Sequence, residues 1–564
     1  MKRMIALSLT LCLLCGCAAK ETVPETIPTE PVAETTPLVS HASGEILYET
    51  RFDTVTEVKV SNDGISVNGA GETDSVYTSH DIIYYEDKET YDSGNPYGEG
   101  EQWERHTESE AAAHTVVNIT APGAYRISGK LSAGQIRVDL GEDAYDDETA
   151  VVELILSDAD ITCSVAPAVL FMNVYECDGD WSADTAQPEV DTGKAGANLI
   201  LEGENTVTGS HVAKIYQDKE GEKKLWKQDG AIYSYMSMNV FGPGKLDLTA
   251  DNEGLDTELH LTINGGEIAI RSDNDGINTN EDGVSVTTIN GGNIHIIAGL
   301  GAEGDGVDSN GYLVINGGTV VSAANPGADA GLDSDLGSFI NGGFVIAMGS
   351  AMDWAESDSQ QVTMNLQFAE NQSAEAAIAV IREDGTVLFA YDPSADETLA
   401  DNKRVYSGAV LSCANFHVGE SYHVYVDGQV TGEDIGGVYD PTTITAYTGG
   451  TQMAYTGTDV MMRPGGFGGG EPPEGFEEER LEMPKDFQPG EKPEGMEPPE
   501  GMDQGERPEP PDGFDPDQMP EDFQPGQMPN DMKKPEGGEI PAGEANSQFF
   551  MQDKFNFFSG LTEA

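Results

Sequence analysis

The sequence predicts an all-β chain built around a solenoid, and three observations carry that prediction. Between residues 252 and 346 the chain repeats Gly, an aliphatic residue, Asp or Asn, then Ser or Thr. The copies are Gly254-Leu255-Asp256-Thr257, Gly276-Ile277-Asn278-Thr279, Gly306-Val307-Asp308-Ser309 and Gly331-Leu332-Asp333-Ser334. Each copy is followed by an Asn-Gly-Gly turn, beginning at Asn264, Asn290, Asn316 and Asn341, roughly 25 residues apart, which is a solenoid period. Helical periodicity is nearly absent, and short apolar runs are bounded by Gly, Asp or Asn. Rungs of this length, made of three short strands with aliphatic residues alternating inward, predict a right-handed parallel β-helix whose stacked rows form one continuous core.

The elements follow in order. Residues 1–17 read as a lipoprotein signal peptide: Lys2 and Arg3 are basic, and Ile5 to Leu14 form an apolar stretch too short to span a bilayer as a helix. Leu14-Cys15-Gly16-Cys17 resembles the bacterial lipobox, in which the last Cys receives lipid, so Cys17 is the expected membrane anchor and the protein is placed on the outer face of the membrane. Residues 18–44 are a Thr/Glu/Pro tether. Residues 45–114, with short runs such as Glu57-Val58-Lys59-Val60, are read as an N-terminal cap or insertion.

The β-helix is expected over 115–354. Its rungs break at 178–197 and at 214–227, where Lys214 to Lys227 includes five lysines, and both breaks read as loops projecting from the solenoid. In the Asn-Gly-Gly corner, glycine supplies positive φ, Asn tolerates left-handed geometry, and the stacked amides form a hydrogen-bonded ladder. Residues 355–462 carry a different, hairpin-like strand pattern and are predicted to cap the open end of the helix as an antiparallel sheet. Residues 463–546 are Pro, Gly, Glu, Asp and Met with no core to make, so disorder is expected. The aromatic stretch in 547–564, Phe549 to Phe558, is predicted to return and pack on the folded domain.

The formal charge of -71 argues against a nucleic-acid partner and against simple attraction to anionic lipid. Such a surface gathers cations. Beyond the signal only Cys163, Cys177 and Cys413 remain. An exported location permits a Cys163–Cys177 disulfide, but the spacing does not establish one.

Part of the acidity lies inside the repeats, and there it can build a metal site. By the period-two rule the aliphatic residue of Asp305-Gly306-Val307-Asp308 points inward and Asp308 outward, with Asp305 beside the glycine. Stacking places Glu253, Asp256, Asp275, Asn278 and Asp333 at equivalent positions, about 4.8 Å apart per rung. Asp251, Asp273, Glu303, Asp329 and Asp335 add oxygens close by in sequence. Ala330 takes the place where an acid stands in the other copies. Clustered hard oxygen donors without His or Cys suit Ca²⁺. The plain alternative is that Asp and Asn are solenoid turn residues and bind nothing.

Arg271 precedes Ser272-Asp273-Asn274-Asp275-Gly276. It could serve as the base of a calcium-dependent polysaccharide lyase, or as a salt-bridge partner for the acidic column, and the second reading is the simpler. Trp226, Tyr233, Tyr235, Tyr312 and Trp354 are candidate platforms for sugar rings, each equally suited to packing. No nucleophile motif, phosphate loop or paired His/carboxylate arrangement stands out.

Ala121 to Leu131, Gly134 to Val138, Val152 to Ile161 and the Asp-Gly-aliphatic-Asp rungs are similar to a bacterial cell-surface carbohydrate-binding family. Tyr422 to Gly428 resembles its C-terminal sheet. The resemblance covers about 115 to 450. It implies a polysaccharide-lyase-like right-handed β-helix that binds calcium and attaches to cellulose and acidic sugar polymers without cleaving them. The inserts and Ala330 depart from the pattern. The sequence therefore predicts a lipid-anchored extracellular protein that binds polysaccharide through a calcium-stabilised β-helix. The alternatives are a calcium-dependent lyase and a purely structural or adhesive surface protein.

Overall fold

The computed structural model describes residues 48–85, 105–178, 186–213, 227–350, 352–398, 403–458 and 545–564. Cys17, the tether, Trp226 and nearly all of the acidic tail lie outside the described residues. The described residues fall within a single unit, Thr36–Ala564, and are nearly all β: their helical content is the four-residue Glu108–Ala111 and two short 3-10 turns. Among the described residues no helix is long and apolar enough to cross a membrane.

Through the repeats each rung contributes one strand to each of three columns. The first column stacks Gly230–Ser234, Glu253–Thr257, Ile277–Thr279 and Val307–Ser309 in parallel, and Leu332 bridges to Val307 at its end. The second stacks Met238–Phe241, Leu261–Ile263, Val286–Ile289, Tyr312–Ile315 and Gly337–Ile340. The third stacks Lys245–Ala250, Glu267–Ser272, Asn293–Ile297, Thr319–Ala323 and Phe344–Gly349. The sheets are open and mixed, because antiparallel strands join the columns at both ends.

The register explains the core. Ile232, Leu255, Ile277 and Val307 are mutual partners across the first column, and all are buried. Val240, Ile263, Ile289, Ile315 and Ile340 form the matching inward row of the second column, and Leu246, Ile268, Ile294, Val320 and Val345 that of the third. Each such side chain contributes about 1.5–3 kcal/mol by leaving water.

The repeat glycines are steric requirements. A Cβ on Gly306 would lie 1.8 Å from Ser322 Oγ and 2.5 Å from the Gly331 carbonyl oxygen, and one on Gly276 would lie 2.2 Å from Ile296 Cγ2. In the corners the second glycine is left-handed, with φ of 104° at Gly266 and 96° at Gly292. The corner asparagines are not among the residues with positive φ, which corrects the expectation that Asn is there for its backbone. It is there for its amide. Asn290 Nδ2 donates to Asn264 Oδ1 at 2.9 Å, Asn316 Nδ2 to Asn290 Oδ1 at 2.9 Å, and Asn341 Nδ2 to Asn316 Oδ1 at 3.0 Å.

At the N-terminal end Val55–Ser61 pairs in parallel with Gly123–Leu131, and Val76–Ser79 pairs antiparallel with Thr115–Ile119. At the other end Tyr406–Ser412 runs antiparallel to Phe344–Gly349 and to Thr363–Gln372, closing the third column's edge. The C-terminal strand Phe555–Glu563 lies parallel to Thr363–Gln372, and Phe557 meets Trp354 edge-on at 5.0 Å. A buried contact ties this sheet to the rungs: His295 Nδ1 is 2.7 Å from Asp396 Oδ2, to which the Tyr391 hydroxyl also donates. Cys163, Cys177 and Cys413 are free thiols, and burial pushes the Cys163 and Cys413 thiols up to about 12.

Candidate functional site

The first column carries the acidic residues of the repeat in two rows. Tyr233, Asp256, Asn278 and Asp308 are register partners on consecutive strands. This row alternates with the inward aliphatic row, yet Tyr233, Asp256 and Asn278 are buried too. Beside it run Glu253, Asp275 and Asp305, each just before a repeat glycine, with Glu253 and Asp275 buried.

The second row has a structural task. Asp275 Oδ1 accepts the backbone N–H of Asp305 at 2.6 Å, and Asp305 Oδ1 accepts that of Ala330. Each carboxylate thus supports the backbone of the next rung. Ala330 receives such a bond and, having no carboxylate, passes none on.

What remains is a set of buried oxygens without partners. Asp256 Oδ1 accepts from Asn280 Nδ2 at 2.7 Å, and the amide of Asn278 donates to Asn280 Oδ1 at 3.2 Å. Glu253 Oε2, Asp256 Oδ2 and Asn278 Oδ1 are buried and have no hydrogen-bond partner. Leaving such atoms unsatisfied costs about 1–3 kcal/mol each, more when charged. Among the described residues one cation reaches this region: Lys227 Nζ lies 2.6 Å from Asp229 Oδ2. Its charge also acts on Glu253, Asp308 and Glu258.

One lysine does not neutralise the cluster. Burial, then the Asp229 charge, pushes the Glu253 carboxyl up to about 7. Burial and the Glu253 charge hold Asp256 well above the carboxylate range. Asp275 is raised by burial and by Glu253. Burial and Asp333 push Asp305 up to about 8 and Asp308 to about 7. Glu258, which accepts the Tyr233 hydroxyl, is pushed up to about 7, chiefly by burial. Such a group of carboxyls must hold protons or a cation.

The donor set fits a hard divalent cation. The free atoms are carboxylate and amide oxygens, and neither His nor Cys joins them. Glu253, Asp256 and Asn278 are the residues that would hold it. Among the described residues, no group of acidic, His or Cys side chains already stands in metal-ligating geometry. The oxygens are neighbours along a column, not a closed cage.

The remaining expected ligands lie elsewhere. Asp251 is engaged by Ser210 Oγ at 2.6 Å and His211 Nδ1 at 2.9 Å. Asp329 accepts the Gly304 N–H at 3.0 Å. Asp273 and Glu303 are exposed. Asp335 is exposed, within electrostatic reach of Asp308. Asp333 belongs with Asp305 and Asp308. Lys227, Asp229, Glu258 and Gln228 were not legible as members. Their signal was the degenerate earlier repeat Asp229-Gly230-Ala231-Ile232-Tyr233-Ser234, whose acid falls one position before the later ones.

Arg271 pairs with Asp247 at 2.5 Å, on the neighbouring strand of the third column. It is a salt-bridge partner, but of Asp247 and not of the acidic column. Tyr233 and Tyr235 are wholly buried and pack edge-on at 5.1 Å. That corrects their assignment as sugar platforms: the segment bearing Gln228, which donates to the Tyr235 hydroxyl at 2.9 Å, contributes to their burial. Tyr312 is half-buried, 6.0 Å from the Phe339 ring, and Trp354 packs on Phe557.

Stacked parallel strands bearing a buried cluster of carboxyl and amide oxygens define a repeat-built β protein. The chain belongs to the family described as carbohydrate-binding domain-containing protein, whose model matches residues 113–410. It is similar to a carbohydrate-binding domain-containing protein of Acetivibrio thermocellus, 31% identical over 157 residues, which are 28% of this chain and 45% of that protein. The chain thus spans less than half the length of that relative. Among solved structures, a polysaccharide lyase-like protein from C. thermocellum, a gadolinium derivative, covers 51% of this chain and 93% of its own at 20% identity, with a TM-score of 0.30. That superposition is too weak to transfer any site.

Proposed function

We propose that this protein binds extracellular polysaccharide, cellulose or acidic pectin-like glycans, without cleaving it. The rungs are wound as a right-handed parallel β-helix stabilised by Ca²⁺, and lipid on Cys17 holds the chain to the outer face of the bacterial membrane. The family match carries the carbohydrate part, because residues 113–410 include all the stacked rungs. Right-handed winding is supported by the strong preference of parallel crossovers for that hand. Calcium is supported by the partnerless oxygens of Glu253, Asp256 and Asn278.

The lyase reading assigns the base to Arg271, whose ion pair with Asp247 in another column gives it no support. The test is retention on cellulose and on polygalacturonate, with ultraviolet absorbance followed for unsaturated product. Retention of wild type and of Arg271→Ala, with no product, is the expected result. Product formation lost on Arg271→Ala establishes the lyase instead. No retention on any polysaccharide, with calcium still raising the melting temperature, leaves the structural role.

A further inference from the structure

The second column carries a feature that the acidic cluster does not explain. Its outward positions run Asn239, Thr262, Thr288, Val314 and Phe339 in register, and the asparagine ladder borders this row. Together they floor an open groove of about 570 Å³, walled on one side by Pro188 to Gly193. That wall belongs to the insert at 178–197. Thr192 Oγ1 fastens it, 2.7 Å from both Asn239 Oδ1 and Thr262 Oγ1.

The ladder leaves half of each of its two middle amides free. A side-chain amide has two N–H groups and two acceptor lone pairs. In Asn290 and Asn316 the ladder takes one of each. One donor and one acceptor therefore remain on each of these two rungs, one strand spacing of about 4.8 Å apart. A sugar hydroxyl is itself both donor and acceptor, and a pyranose in a linear chain advances by a similar length. Phe241 and Phe339, both half-buried, line the groove on the first and last strands of the column. An aromatic face there suits the apolar C–H face of a sugar ring.

Charge selects the class of sugar. The lining includes Glu189, Asp191 and Asp358 and no lysine or arginine among the described residues. A uronate polymer would be repelled. We propose that this groove binds an unbranched neutral glycan, laid across the rungs with its hydroxyls on the asparagine ladder and its end rings over Phe241 and Phe339. The assignment rests on the carbohydrate-binding reading and places neutral glycan away from the acidic column.

The test is calorimetric titration of the protein, in calcium, with cellohexaose and with an oligogalacturonate. The variants are Thr288→Arg, which lays a long side chain along the groove floor, and Phe339→Ala. Tyr77→Ala, an exposed aromatic at the N-terminal end, is the control, and melting temperatures confirm folding. Cellohexaose affinity falls by roughly tenfold or more in both groove variants and is unchanged in the control. Equal cellohexaose binding by wild type and both groove variants overturns the groove assignment alone. Loss of oligogalacturonate binding in Phe339→Ala, with cellohexaose untouched, overturns the neutral class. Failure of wild type to bind any polysaccharide overturns this proposal together with the carbohydrate reading.

Discussion

Asp275 Oδ1 lies 2.6 Å from the backbone nitrogen of Asp305, so one acid of the repeat holds the next rung in place while standing beside other carboxyls. The two roles separate by substitution. Asp275→Asn keeps an acceptor and removes the charge, whereas Asp275→Ala removes both. In EDTA at pH 8 the Asn variant is expected to exceed the Ala variant in stability by about 1–3 kcal/mol and to match or exceed wild type. Chemical denaturation of the three proteins measures this, and equal stability of the two variants contradicts the backbone role.

Stability in EDTA should fall as pH rises from about 5 to about 8. Glu253, Asp305 and Asp308 titrate near 7 to 8 in the folded chain and near 4 in the unfolded one. The native state therefore binds more protons across that window, and raising the pH favours unfolding. Below pH 4 both states are protonated and the difference vanishes. If calcium takes the place of those protons, as proposed, its stabilising effect should be larger at pH 8 than at pH 5. Thermal melts at the two pH values, with and without calcium, decide it; a calcium shift larger at pH 5 contradicts the account.

Rung packing makes a sharper demand at the glycines. Gly306→Ala places a methyl against Ser322 Oγ and the Gly331 carbonyl, and a loss of several kcal/mol or failure to fold is expected. Gly71 has open space around its Cβ position, so Gly71→Ala should leave the melting temperature unchanged. Equal tolerance of the two substitutions would show that the rungs are not stacked this closely.

Asn290 sits in the middle of the amide ladder, giving one bond and receiving another. Asn290→Ala should cost about 1–3 kcal/mol, while Asn290→Asp, which cannot donate to Asn264, should cost at least as much at neutral pH. Urea denaturation provides the comparison.

Much of this was legible because the repeat fixes the register. Once Leu255, Ile277 and Val307 are stacked inward, Asp256, Asn278 and Asp308 must be neighbours, and the Asn-Gly-Gly corners must align their amides. The rest depended on contacts that no repeat encodes. Tyr233 occupies the same register position as Asp256 and is equally buried, and nothing in the rung pattern foretold its bond to Glu258. Arg271 finds Asp247 one rung back along the third column, a pairing that the period could have suggested but Asp273, two residues on, obscured. His295 meets Asp396 across the cap, far apart in sequence. Asp275 and Asp305 look like ligands in the sequence, and in the structure they support backbone.

The central claim, that the buried oxygens of the rungs hold calcium, is tested most directly by calorimetric Ca²⁺ titration of metal-free wild type and of the double variant Glu253→Gln/Asp256→Asn at pH 7.5. The account predicts saturable binding to wild type and its loss in the double variant, which stays folded without metal because its like charges are gone. No binding to wild type, or undiminished affinity in the double variant, would contradict it.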